Sequence, residues 1–521
     1  MVIIFGNALI RKIYSGFVHI CIIAFLVVLP NYSYSQNSNP SYDSFKKAQE
    51  IVYAGIQAIG GFQNIGSIKD FNISYKQFES LRGQNLNPEA PDVLVEGSEA
   101  HLMYDAKTGF SRSEQNLQRR GRLFNPIIVI KKDQGFFYWP ETQELHPSIN
   151  VELIKKLFNF RFTYPQRLIP YLLLQNCIAN NETLRWLGRE PIDGIDHDIV
   201  SFTDSEGLFL TLYFNSETHL LKKSEELFDD FISGDAIGEV YFKDYQLVNG
   251  VQFPMEFISR VSGTISKKML VSNIAINTDF SPDIFELPKD IVPSEYPKIF
   301  TPQKIADDVY FVPLFNGTGI SYNSMFVVFD DYVLVMDAPL SDLLSRYYSG
   351  LISRIAPNKP IKYLVPTHYH IDHSGGIKKF ALDGTTIVTT KGNKKFFEDV
   401  IFLRRSIKPA NRTNDNNIHF EIVEKKKVFK DNNHIIEIYD VGPNAHADEV
   451  LIAYLPKEKI LYVTDLFWGT LTNHLPPARI TLTEFVNKID ELGLEVKIIA
   501  PGHGKVSSVE DLEEAVIIVK E

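Results

Sequence analysis

Residues 367–376 read Thr-His-Tyr-His-Ile-Asp-His-Ser-Gly-Gly, and they follow the apolar run that ends at Val365. Four side chains in six positions, His368, His370, Asp372 and His373, can bind a metal. A core cannot hold so many polar groups without partners, so the segment must leave a strand and face a cleft. Residues two apart on an extended segment point the same way, so His368 and His370 can grip one ion. Asp372 and His373, at the start of an expected helix, can face a second ion on the other side. Imidazole nitrogen and carboxylate oxygen suit zinc. Gly375 and Gly376 are expected to let the backbone pass close to the metals, where a Cβ would obstruct it.

Three further candidates sit at expected strand ends or in loops: His446 in Gly442-Pro443-Asn444-Ala445-His446, Asp465 in Tyr462-Val463-Thr464-Asp465, and His503 in Pro501-Gly502-His503-Gly504. Each lies where a loop can present it to a shared cleft. A lone histidine of this kind reads as structural or exposed; the order of all seven does not. H-x-H-x-D-H, then a later His, a later Asp and a final G-H-G resembles the metallo-β-lactamase superfamily over about residues 306–519. Met336-Asp337-Ala338-Pro339 at an early strand end adds to the resemblance.

The resemblance implies that His368, His370 and His446 hold the first metal, that Asp372, His373 and His503 hold the second, and that Asp465 bridges them. It implies two zinc ions, with iron or manganese as alternatives, and a metal-bound hydroxide as nucleophile. Asp372 is then the catalytic group that orients the water, and Asp337 orients ligands or caps the turn. His419, His434 and His474 match no ligand position. Asp465 stands where some β-lactamases carry a cysteine ligand, so the chain is more similar to the glyoxalase II and lactonase branches or to the all-histidine lactamases. The expected reaction is hydrolysis of an ester, lactone, thioester or amide-type bond in a small molecule. The main rival is a mononuclear non-haem iron oxidoreductase of the persulfide dioxygenase type, with His368, His446 and Asp465 as its triad.

Ahead of this region the pattern differs. Phe45, Ala48, Ile51, Val52, Ile56 and Ile59 recur at helical spacing over 42–59, ended by Gly60-Gly61. Period-two runs follow at 184–187, 199–203, 209–214, 239–245 and 269–276, separated by turn signals such as Asp193-Gly194 and Asn249-Gly250. A helix followed by successive antiparallel strands is an α+β arrangement with one curved sheet. The stretches Asp193-Gly194-Ile195, 207–214, Val251-Gln252-Phe253-Pro254 and 280–288 resemble the lipoprotein-localisation half-barrels, which implies a lipid or other amphiphile as a third functional reading. Pro288, Pro293, Pro297 and Pro302 mark a linker. The second half then alternates strand and helix. The expected fold class is α+β: an antiparallel sheet domain with helices over 40–288, a linker at 289–303, and a C-terminal four-layer αββα sandwich over 304–521.

The formal charge of -11 and the lack of a long basic run argue against nucleic acid as a partner. Residues 1–35 contain Arg11 and Lys12, no acid, an apolar run over 17–30 and then Ser33-Tyr34-Ser35. This predicts a signal peptide cleaved near Gln36 and a periplasmic or secreted protein. The apolar run is shorter than the roughly 20 residues that span a bilayer. Cys21 lies in that leader, which leaves Cys177 as the mature chain's single thiol. Substrate identity is expected to depend on the loops at 315–323, 404–417 and 467–477, the last with Trp468 and His474.

Overall fold

Asn39 starts the first helix. Its side chain accepts from the Tyr42 N–H at 3.2 Å, and Pro40 fills the first turn, where a missing N–H costs nothing. The helix Pro40–Ala58 thus begins two residues ahead of the expected 42. The structure, a computed structural model, describes residues 39–119, 122–131, 134–141, 143–147, 169–286, 290, 291, 293, 301–314, 321–403, 405–407, 418–469 and 479–520. The leader, most of the linker, parts of the three loops expected to set substrate identity, and His474 lie outside the described residues.

The helix buries Ala48, Ile51, Val52, Gly55 and Ile56 against one face of a fourteen-stranded antiparallel sheet. A Cβ on Gly55 would fall 2.6 Å from the Phe214 ring, so glycine sets how closely helix and sheet approach. Seven strands, from Arg185–Ile192 to Thr264–Ile276, run as consecutive neighbours. The last of them pairs with Asp70–Ser80, which continues through Leu94–Asp105 to an outer edge at Glu144–Pro147. Bulges at Ser74/Tyr75, Gln77/Phe78 and Ser259/Arg260 bend the strands. A second helix, Pro170–Ala179, adds Tyr171, Leu172, Leu173, Leu174 and the buried free thiol Cys177 to the same core. An amphiphile bound on this face would displace side chains whose burial stabilises by roughly 1.5–3 kcal/mol each.

The C-terminal region has two mixed sheets. The first runs Gln303–Ala306, Val309–Val312, Ser324–Val328, Val333–Met336, Ile361–Val365, Thr386–Thr389, Phe420–Ile422; the second runs from Lys426–Lys430 to Ser507–Ser508. Alternation along the strands separates their faces. Met325, Val327, Leu334 and Met336 join Ile438, Ala453, Ile460 and Tyr462 in a core between the sheets. Phe326, Val335, Leu364 and Ile387 face Leu351, Ile352, Phe380 and Phe397 of helices outside the first sheet. Ile452, Leu461, Val463 and Ile499 face Leu482, Phe485 and Leu512 outside the second. Helix, sheet, sheet and helix make the expected four layers, and strands buried on both faces explain their continuous apolar runs.

One helix was expected after Asp372, but there are two, Ile371–Ser374 and Ile377–Leu382, broken at Gly375 and Gly376. The reason also corrects the role given to those glycines. A Cβ on Gly376 would lie 1.9 Å from Ser345 Oγ, and one on Gly375 would lie 2.5 Å from the Leu340 backbone. The pair therefore permits contact with the start of the helix Asp342–Ile355, not with the metal site.

The helix Lys391–Phe402 has no capping side chain of its own, and Glu449 serves instead. Its carboxylate accepts from Gly392 N at 3.0 Å, Asn393 N at 2.7 Å and Thr390 Oγ1 at 2.7 Å. A carboxylate on these orphan donors also meets the positive end of the helix dipole. Glu449→Ala should lower unfolding free energy by about 1–2 kcal/mol in a urea titration; an unchanged midpoint would show that the cap contributes nothing.

Candidate metal centre

Asp337 follows the strand Val333–Met336, and His368 and His370 follow its parallel neighbour Ile361–Val365. Asp465 follows Ile460–Val463, and His503 follows its parallel neighbour Ile498–Pro501. Asp372 and His373 ride on Ile371–Ser374, and His446 lies in the loop before Leu451–Leu455. The carboxyl ends of parallel strands in both sheets thus open onto one rim, where the loops are free to carry chemistry.

The structure brings all seven expected ligands together. His368, His370, His446 and Asp465 form one group and Asp372, His373, Asp465 and His503 a second; within each, the candidate ligand atoms lie within 4.8 Å of one another. Asp465 belongs to both. Its Oδ2 lies 2.9 Å from His446 Nε2, 3.2 Å from His373 Nε2 and 3.4 Å from His368 Nε2, and its Oδ1 lies 2.7 Å from His503 Nε2.

These contacts fit a metal better than they fit one another. His503 Nε2 is buried without a hydrogen-bond partner although Asp465 Oδ1 is only 2.7 Å away, so the pair fails in direction and not in distance. His370 Nδ1 is likewise buried and unpartnered. The Nε2 atoms of His368 and His446 face each other at 3.1 Å. Lone pairs converging on common points, in a pocket where unsatisfied polar atoms are costly, are what a cation would satisfy.

The outward nitrogen is held in four of the five rings. His373 Nδ1 lies 3.0 Å from Asp337 Oδ2, His503 Nδ1 is 2.6 Å from Ser321 O, His368 Nδ1 is 3.2 Å from Thr367 Oγ1, and His370 Nε2 is 2.8 Å from Asn85 O. Such partners fix ring orientation and leave the other nitrogen for the metal. Asp337 is fully buried, and its carboxylate also accepts from Thr367 N at 2.7 Å and Tyr462 OH at 2.9 Å.

Burial, reinforced by His370, drives the His368 imidazole well below its ordinary range, and burial with His446 brings His370 down to about 4. Both are therefore neutral, the form that binds metal. Burial also opposes charge on His373 and His503, but the facing carboxylates outweigh it. Asp372, Asp465 and Asp337 raise His373 well above the usual range, and Asp465 with Asp372 raises His503 to about 9. Asp372 and Asp465 are held low because the histidines opposite them outweigh the cost of burying a carboxylate. Without metal, protons on these imidazoles balance the carboxylates, and a bound cation takes their place.

A family model described as "Metallo-beta-lactamase superfamily" matches residues 317–503. The C-terminal region is a metallo-beta-lactamase superfamily domain. Among curated proteins, the chain is 29% identical over 162 residues to the Metallo-beta-lactamase type 2 of Elizabethkingia meningoseptica, covering 30% of this chain and 59% of that protein. It is 28% identical over 176 residues to the 2,4-dinitroanisole O-demethylase subunit alpha of Nocardioides sp. strain JS1661, covering 33% of this chain and 50% of that protein. The chain thus spans 59% and 50% of the length of these two relatives. Among solved structures, a metallo-beta-lactamase from Pontibacter korlensis aligns with a TM-score of 0.34 and 19% identity, over 42% of this chain and 98% of that one.

Within the metallo-beta-lactamase domain, His434 lies apart, with Nδ1 3.2 Å from Glu458 Oε1, and His419 belongs to neither ligand group. Trp468, expected only on a loop rim, packs its ring 4.4 Å from that of His503 and donates from Nε1 to Asp465 Oδ1 at 3.1 Å. Sequence reasoning missed Ser321, Thr367, Tyr462 and, from the N-terminal sheet, Gln84 and Asn85. Thr367 and Tyr462 lay inside the quoted motifs and could have been found there. The others carry no local signal.

Proposed function

We propose that this protein is an exported two-metal hydrolase that cleaves an ester, lactone, thioester or amide-type bond of a small molecule. The observation that carries the reading is Asp465, shared by two complete ligand groups. The first ion would be held by His368, His370, His446 and Asp465, the second by Asp372, His373, His503 and Asp465. When bound, such a metal pair supplies Lewis-acid charge and lowers the pKa of a water toward neutrality.

The protein's own groups supply orientation. Asp372 and His446 are the least buried of the ligands, with side chains 15% and 13% exposed, so substrate approaches from their side. Asp372, ionised at neutral pH, accepts a hydrogen bond from the attacking water and sets its direction, then passes the proton toward the leaving group. The Trp468 indole holds Asp465 in place. The retention of Asp372, His373 and His503 favours two metals over a mononuclear oxidoreductase, which needs only three ligands. The acid-free leader with Arg11 and Lys12 supports export.

Protein recovered from the periplasm or medium, purified without added metal, should begin near Gln36, contain about two zinc per chain, and turn over one member of a panel of lactones, thioesters, esters and β-lactams. One iron per chain with no hydrolysis of any member would overturn the reading.

A further inference from the structure

The loop joining Asp70–Ser80 to Leu94–Asp105 belongs to the N-terminal sheet, yet its tip lies on ligands of the C-terminal domain. We propose that this loop is a functional part of the metal centre: the Asn85 carbonyl positions His370 for the first ion, and the Gln84 carboxamide positions Asp372 beside the second. The proposal rests on the two-metal reading.

A backbone carbonyl can only accept. The His370 Nε2 that meets Asn85 O at 2.8 Å therefore carries the ring proton, which leaves the lone pair on Nδ1, the buried and unpartnered nitrogen. Tyr369 OH donates to the same carbonyl at 2.6 Å, fixing that oxygen from a second direction. For His368, His373 and His503 the equivalent partners are Thr367, Asp337 and Ser321, all of the same domain. His370 alone of these four depends on the other domain.

Gln84 Nε2 donates to Asp372 Oδ1 at 2.9 Å, while Asp372 Oδ2 faces His373 at 3.5 Å and His503 at 3.6 Å. One carboxylate oxygen is thus occupied by the loop and the other is left for the cluster. The Gln84 side chain is exposed, on the side where the ligands are least buried.

The loop is held at both ends. At its tip, Leu86 O accepts from Asp448 N at 2.8 Å and Asn87 Nδ2 donates to Asp448 Oδ2 at 2.6 Å, two residues beyond His446. At its base, Arg82 grips Asp230 through two bonds of 3.1 and 2.8 Å and Ser233 Oγ at 2.6 Å. Arg405 in turn donates to Asp230 O at 2.9 Å and Phe231 O at 2.8 Å. The Arg82–Asp230 pair is bidentate and only 16% and 13% exposed, which sets it apart from weak surface pairs.

Two full-length variants test the assignment: residues 82–92 replaced by an Asn-Gly turn, and Gln84→Ala, whose exposed side chain can be removed without disturbing the fold. Zinc is titrated into metal-free protein against a chromogenic chelator. The loop replacement should weaken the first ion by about 10- to 100-fold, and Gln84→Ala should weaken the second by about tenfold with an unchanged melting temperature of the metal-free protein. At saturating zinc, Gln84→Ala should lower kcat at unchanged KM, because Asp372 and not substrate binding is affected. Wild-type affinity for both ions in both variants would overturn the proposal and leave the two-metal reading standing. A wild-type chain that binds no zinc would overturn the reading itself, and the proposal with it.

Discussion

Asp465→Ala should lose both ions at once, whereas His370→Ala should lose only one. The carboxylate reaches His446, His373, His368 and His503 within 2.7–3.4 Å and belongs to both ligand groups, while His370 belongs to one. Removing the charge that both ions share should cost several kcal/mol of transition-state stabilisation, a fall of about a thousandfold or more in kcat/KM. The metal-free form should weaken too. Buried His373 and His503, both raised by their facing carboxylates, lose a counter-charge, and breaking a buried ion pair costs about 3–5 kcal/mol. Metal-to-protein ratios and turnover in the two variants decide the matter. Two ions and undiminished turnover in Asp465→Ala would remove the assignment altogether.

The ligands were legible because their chemistry is local. His368, His370, Asp372 and His373 fall within six positions at the junction of a strand and a helix; period-two geometry groups the first pair, and the helix start turns the second pair away from it. The strands Val333–Met336 and Ile460–Val463 were legible for a related reason: burial on both faces writes an unbroken apolar run. The strand Asp70–Ser80 was not read, although Phe71, Ile73 and Tyr75 alternate with Asn72, Ser74 and Lys76, because Gln77 falls on the buried face and cuts the apolar alternation short. The break at Gly375 and Gly376 depends on Ser345 and Leu340, which no window around the histidines contains. Asn85 is a more extreme case. It lies 285 positions from His370 and acts through its carbonyl, a group every residue possesses, so nothing in its identity reports the role. Sequence therefore showed which atoms could bind metal, but not what aims them.

That distinction gives Asp337 two separable effects. The residue adopts a left-handed backbone conformation (φ 61°) at the end of a strand, which Asp tolerates better than most side chains. From there its carboxylate joins the ligand loop at Thr367 N, the second sheet at Tyr462 OH and the metal cluster at His373 Nδ1. Asp337→Ala should destabilise by about 3–5 kcal/mol, since it strands the buried donors Thr367 N and His373 Nδ1 and leaves His373 without its carboxylate, while Tyr462 OH keeps Asn323 O at 3.0 Å. Asp337→Asn should cost less, about 1–3 kcal/mol, because the amide oxygen still serves Thr367 N. Its NH2 group must then face His373 Nδ1 and donate to it, moving the ring proton to Nε2 and into the metal cluster. The wrong tautomer cannot bind, so the second ion should weaken by about 10- to 100-fold in a protein that still folds. Urea unfolding and zinc titration on the two variants separate these effects. If Asp337→Asn keeps wild-type affinity for the second ion, then Asp337 supports only the fold and His373 is aimed by something else.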